Sequence, residues 1–143
     1  MQIERIISKG QLVPLKFFDE NLADALTDSQ MKLLSTAATS GDFAGDEHLM
    51  PFDGEIIAIT ANTNADLTAG TAVFGATIDG TEKTALQVTL DDTNQRARKS
   101  IARGTIPFSA GARIGCEVTT ASLAPATTDV EVTVWVLLYL EGI

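Results

Sequence analysis

Asp129-Val130-Glu131-Val132-Thr133-Val134-Trp135-Val136-Leu137-Leu138-Tyr139-Leu140 reads as a β-strand. Val130, Val132, Val134, Val136, Leu138 and Leu140 recur at every second position, the repeat of a pleated chain whose alternate side chains face one way. Glu131 and Thr133 begin the other face as a solvated face should begin, but Trp135, Leu137 and Tyr139 continue it. A strand with one wet side does not leave three such residues in water. The sequence therefore predicts a cover for them, either residues 1–48 of the same chain or a neighbouring copy. Each aromatic buries about 150–250 Å², worth roughly 4–6 kcal/mol at about 25 cal/mol per Å². Association costs about 4–15 kcal/mol, so one patch is marginal for two bodies, whereas repetition around a closed ring suffices. That balance favours an oligomer.

The same alternation extends upstream. Apolar positions at period two, separated by turn signals, predict strands near 54–61, 71–79, 84–90, 101–108, 112–120 and 129–140. Phe74, Ala76 and Ile78 share one face of the second, and Leu86, Val88 and Leu90 one face of the third. Asp79-Gly80 fits a tight hairpin turn. Ser109-Ala110-Gly111 suggests another, which would pair strand 101–108 with strand 112–120. Many short strands of this spacing predict an all-β domain over residues 49–143, an antiparallel β-sandwich or jelly roll. Cys116 falls in phase with Ile114 and Val118 and is expected inside as a small apolar filler.

Residues 1–48 follow a different grammar and read as an N-terminal arm. Gln11 to Phe18 suits a strand or extended segment, with Pro14 barring a helix. Asp19 or Asn21 is placed to cap a short helix over Leu22 to Leu34, with Leu22, Ala25, Leu26 and Leu33 on one face. Thr27 and Gln30 offer an alternative capping box. Ser35 to Gly45 is small and polar, as in a linker.

The chain's 143 residues suffice for one domain with a real core. Nineteen acids against ten Lys and Arg, a formal charge of −9, speak against direct nucleic-acid binding. One cysteine excludes an intrachain disulfide. No signal peptide and no apolar run of membrane length are apparent, so synthesis in the cytoplasm without a membrane is expected. No nucleophile stands in a recognisable frame with the single histidine, His48, and no phosphate loop precedes a helix; neither an enzyme nor a cofactor is expected. His48 beside Asp46 and Glu47 reads as solvated rather than metal-binding. Asp91-Asp92-Thr93-Asn94 reads as an acidic turn rather than a calcium loop. Arg96, Arg98, Lys99 and Arg103 cluster in this acidic chain, either as a solvated loop or as an electrostatic latch to an acidic partner, with Asp46 and Glu47 of a neighbouring copy as candidates.

Met50-Pro51-Phe52-Asp53-Gly54, Leu67-Thr68-Ala69-Gly70-Thr71, Ile78-Asp79-Gly80-Thr81, Pro107-Phe108-Ser109-Ala110-Gly111 and Asp129 to Val134 together resemble the small jelly-roll cement or decoration proteins on the heads of tailed bacteriophages, and related fibre knobs. The resemblance spans the last two-thirds of the chain. It implies a virion protein of the outer capsid surface, made in the cytoplasm of a bacterial host, trimeric or dimeric, that clamps neighbouring major capsid proteins. On that reading Ile3, Ile6 and Ile7 of the arm, the stripe Trp135, Leu137 and Tyr139, and the cations Arg96, Arg98, Lys99 and Arg103 make the contacts with copies and capsid. The alternative is a receptor- or carbohydrate-binding knob of a head or tail fibre, for which Phe43 and Phe52 are the aromatics near turns.

Overall fold

The computed structural model describes residues 10–33 and 46–140. Among them ten strands form two antiparallel sheets. Sheet A contains β1 (Gln11–Asp19), β10 (Val130–Leu138), β4 (Gly54–Thr63) and β7 (Arg96–Ser100) in that order, with β8 (Pro107–Phe108) also on β4. Sheet B contains β2 (Ser29–Gln30), β9 (Arg113–Ala124), β5 (Ala69–Ile78) and β6 (Thr81–Asp91), with β3 (His48–Leu49) also on β9. Along the chain the strands pass back and forth between the sheets, and this winding makes the sandwich a jelly roll.

Cross-strand rows build the core. In sheet A, Val13, Val136 and Ile56 lie abreast, then Leu15, Val134 and Ile59, then Phe17, Val132 and Ala61. All but the half-buried Val13 are buried. Sheet B answers with Phe74 between Val88 and Val118, and Ala72 between Leu90 and Thr120. Cys116 is fully buried opposite Ala76, and burial pushes its thiol far above the ordinary range. The β5–β6 hairpin turns at Asp79 and Gly80, with φ of 50° and 76°, as a turn with two left-handed residues requires.

Three local expectations fail. The helix expected over Leu22 to Leu34 is absent from its described part, residues 22–33, because Asn21, Ala25 and Asp28 adopt φ of 53°, 57° and 45°, which break right-handed helix at every turn. The backbone donors of Leu22 and Met31 go instead to the carbonyls of Thr128 and Cys116. Leu22, Leu26 and Leu33 pack onto the sandwich one at a time, and their spacing mimics a helical face. Second, of the strand expected over 101–108 only Pro107 and Phe108 form one, β8, and it does not pair with the strand that follows. β8 is bound to β4 and β9 to β5, so the turn at Ser109–Ala112 carries the chain from one sheet to the other. Third, the cations of Arg96–Ser100 lie on a strand, not in a loop.

Residues 10–33 are part of the sandwich: β1 pairs with β10 along its whole length, and Phe17 is fully buried. Phe17→Ala is accordingly expected to cost about 3–5 kcal/mol in urea unfolding. A change below about 0.5 kcal/mol, typical of surface sites, would show that β1 merely lies against the body.

Candidate interaction surface

The outer face of sheet A follows from the alternation of its strands. Leu12 lies beside Leu137, and Pro14 beside Trp135, which is flanked on its other side by Ala58 and then Ser100. The next row runs Lys16, Thr133, Thr60 and Arg98. Trp135 and Leu137 are half-buried and Leu12 is 50% exposed. The stripe predicted from β10 thus remains partly open to water. β1 does not roof it; lying in the same sheet, it widens the apolar strip with Leu12 and Pro14. Proline in this edge strand also removes a donor that would invite another strand.

Trp135 Nε1 donates to Thr60 Oγ1 at 3.4 Å. Because Ala58 is small, an open depression of about 450 Å³ lies over it, lined also by Thr60, Ser100, Arg98 and Lys99. The structure thus gathers Trp135, Leu137, Arg98 and Lys99 on one sheet, with Arg96 beside Asn62 on the same edge strand. Tyr139 and Arg103 are engaged elsewhere. Glu55, 1% exposed, accepts hydrogen bonds from Arg103 Nε and the Gly104 amide and also meets the Tyr139 side chain. Burial opposes the Glu55 charge, but the Gly104 amide, Arg103 and Tyr139 outweigh it and hold the carboxyl below its ordinary value. Ile3, Ile6, Ile7 and Phe43 lie outside the described residues, and Phe52 is 36% exposed.

Sheet B has a polar outer face. Glu117 lies between Gln30 and Gly75, and the Glu82 carboxylate rests over Gly75, where a β-carbon would collide with Glu82 Oε1. Asp28 is tied to Thr119 Oγ1 at 3.1 Å beside them. Burial, then Glu82, then Asp28 push the Glu117 carboxyl above its ordinary value. At the far end Arg113 Nε lies 3.4 Å from Glu47 and 3.6 Å from Asp79. Glu47 therefore faces Arg113 of its own chain, and its side chain is only 8% exposed. His48 is no solvated linker residue: its ring meets Phe17 edge-on at 5.5 Å, and burial lowers its pKa. Asp91 Oδ1 accepts from the amides of Thr93 and Asn94 at 2.9 and 2.8 Å, which commits it to closing the turn.

Leu12, Pro14 and Glu55 are surface or site residues that the sequence reading passed over. Leu12 and Pro14 alternate with Val13, Leu15 and Phe17, a signal present but short; Glu55 is an acid opening an apolar strand.

No protein-family model matches this chain, and no curated protein does. Among solved structures, a chain in the acidic stable capsid structure of Helicobacter pylori bacteriophage KHP30 superposes with a TM-score of 0.51, covering 91% of this chain and 90% of that one. At 9% sequence identity the likeness is one of fold.

Two carboxylates give opposite pH signatures. Glu55, with a lowered pKa, adds stability above its ordinary value of 4.5 that is lost as pH falls through its folded value. Glu55→Gln is expected to cost about 1–3 kcal/mol at neutral pH, a difference that narrows in acid. Glu117, with a raised pKa, costs stability above its folded value, and that cost is relieved as pH falls towards 4.5. Glu117→Gln should therefore raise Tm at neutral pH and lose that advantage in mild acid. Thermal melts of both variants across pH check the two signs.

Proposed function

We propose that this chain is a structural protein of a bacteriophage virion, a decoration or cement protein of the outer capsid surface that oligomerises and bridges major capsid proteins. Its role is mechanical rather than catalytic: apolar burial between copies and repeated attachment across capsomers hold the shell. The observation that carries the reading is a jelly roll superposing on a phage-capsid chain over nine-tenths of both molecules. The half-open strip of Leu12, Pro14, Trp135 and Leu137 adds to it, since a jelly roll working alone has no use for such a face. A trimer is favoured and a dimer is the next choice, because a closed ring repeats the small patch enough times to offset the cost of association. Synthesis in a bacterial cytoplasm suits the buried, unpaired thiol of Cys116.

The direct test is saturable binding of the purified chain to expanded, undecorated heads of the phage that encodes it. No binding at micromolar concentration overturns the reading. Within it, Trp135→Ser should move the chain from an oligomer towards the 15.1 kDa monomer on a sizing column, with the circular dichroism of the fold kept. An unchanged elution volume with intact fold would contradict the apolar strip as the contact between copies.

A further inference from the structure

Charge is sorted across this molecule in a way that its own folding does not use. Of the ten Lys and Arg, Arg5 and Lys9 lie outside the described residues. Lys16, Arg103 and Arg113 pair with Glu131, Glu55 and Glu47, and Lys32 lies near Asp19. Lys83, Arg96, Arg98 and Lys99 remain without a carboxylate partner among the described residues, and three of these four stand within four positions of β7. β7 is an edge strand of sheet A, and all three cations are exposed. Their neighbours across the sheet are Asn62, Thr60 and Ile59, with no acid among them. The open depression lined by Arg98, Lys99, Thr60 and Ser100 has the size and donors to receive a carboxylate side chain.

The outer face of sheet B shows the converse. Glu82 and Glu117 flank Gly75, Asp28 adjoins them through Thr119, and none of the three pairs with a cation among the described residues. Asp28 is exposed, Glu82 half-buried and Glu117 buried beside them at 9% exposure, so an incoming guanidinium meets Asp28 and Glu82 first. The two surfaces belong to different sheets of one rigid sandwich, so they cannot meet within one molecule. Between two molecules they can.

We propose that the β7 edge of one copy docks on the outer face of sheet B of the next, with Arg96, Arg98 and Lys99 neutralising Asp28, Glu82 and Glu117. The inference rests on the reading of the chain as an assembling virion protein and names a second, electrostatic contact distinct from the apolar strip. Because the two patches differ, the contact is head-to-tail, and it closes into a ring or runs on as a row. Charges on an edge strand also discourage strand addition, a role that would leave self-association indifferent to their sign.

Sedimentation velocity of the full chain at low and high salt tests this. Wild type is expected to associate at low salt and to loosen as salt screens the exposed charges. R96E/R98E on one chain, and D28N/E82Q on another, should each weaken that association at least about tenfold, which corresponds to about 1.4 kcal/mol. The amides preserve side-chain shape, and asparagine tolerates the left-handed backbone at position 28. The mixture is the decisive arm: each variant retains the half that the other lacks, so mixing should restore a salt-sensitive association, saturating at equal amounts of the two, that neither variant shows alone. Variants that associate as wild type does, or a mixture that stays separate, overturn the proposal. So does loss of heparin binding by R96E/R98E with self-association unchanged, which would assign β7 to anionic carbohydrate. Salt-insensitive assembly that is abolished by Trp135→Ser alone overturns this contact but leaves the proposed function standing; a wild type that never associates removes both.

Discussion

From Val134 onward β10 is apolar on both faces, and it lies second in its sheet, so one face must fill the core while the other looks out through the sandwich wall. Its inner face is closed by the valine and isoleucine rows of β1 and β4 and by sheet B. Its outer face is only hemmed in. β1 and β4 cover the flanks of Trp135 and Leu137, while Leu12 and Pro14 extend the apolar strip to the sheet edge. The strip is small by the standard of a stable interface, and that smallness argues for repetition around a symmetric assembly rather than for a single tight pair.

The polar groups follow the same division between committed and open. Glu55, Arg103, Gly104 and Tyr139 form one satisfied network that seals the end of sheet A next to the strip. Asp91 closes a turn and Arg113 draws in Glu47 and Asp79. Against these stand the cations of β7 and the carboxylates around Gly75, each group lacking the opposite charge nearby among the described residues. An acid-rich chain gains solubility from its net charge but pays in self-repulsion. A contact that joins a basic edge to an acidic face lowers that repulsion wherever copies meet.

Much of the fold was legible in the alternation of Val130 to Leu140 and in the turn at Asp79-Gly80, whereas the turn at Gly111 joins the two sheets and not two paired strands. What escaped did so for physical reasons. Leu22, Leu26 and Leu33 have helical spacing, but the donors of Leu22 and Met31 find the carbonyls of Thr128 and Cys116 and the backbone passes through left-handed positions at Asn21, Ala25 and Asp28, a tertiary outcome that local propensity does not carry. Arg96 to Ser100 lacks apolar residues except Ala97, so an edge strand that needs only one inward contact looked like a loop. The Trp135 stripe was plain in the sequence, whereas its extension through Leu12 and Pro14 depended on β1 pairing with β10 across more than a hundred residues. Glu55 was equally hidden, because its partners Arg103 and Gly104 come from a loop that the alternation reads as part of a strand over 101–108.

The chain has one tryptophan, and it stands in the middle of the strip on which this account turns. Its fluorescence, followed on dilution from micromolar to nanomolar concentration together with acrylamide quenching, reports directly whether copies close that face. The account predicts blue-shifted, poorly quenched emission at high concentration that moves to the red and becomes readily quenched as the assembly comes apart. Emission and quenching that stay constant over the whole range would contradict it, because the indole would then have the same surroundings in an isolated chain as in a crowd of them.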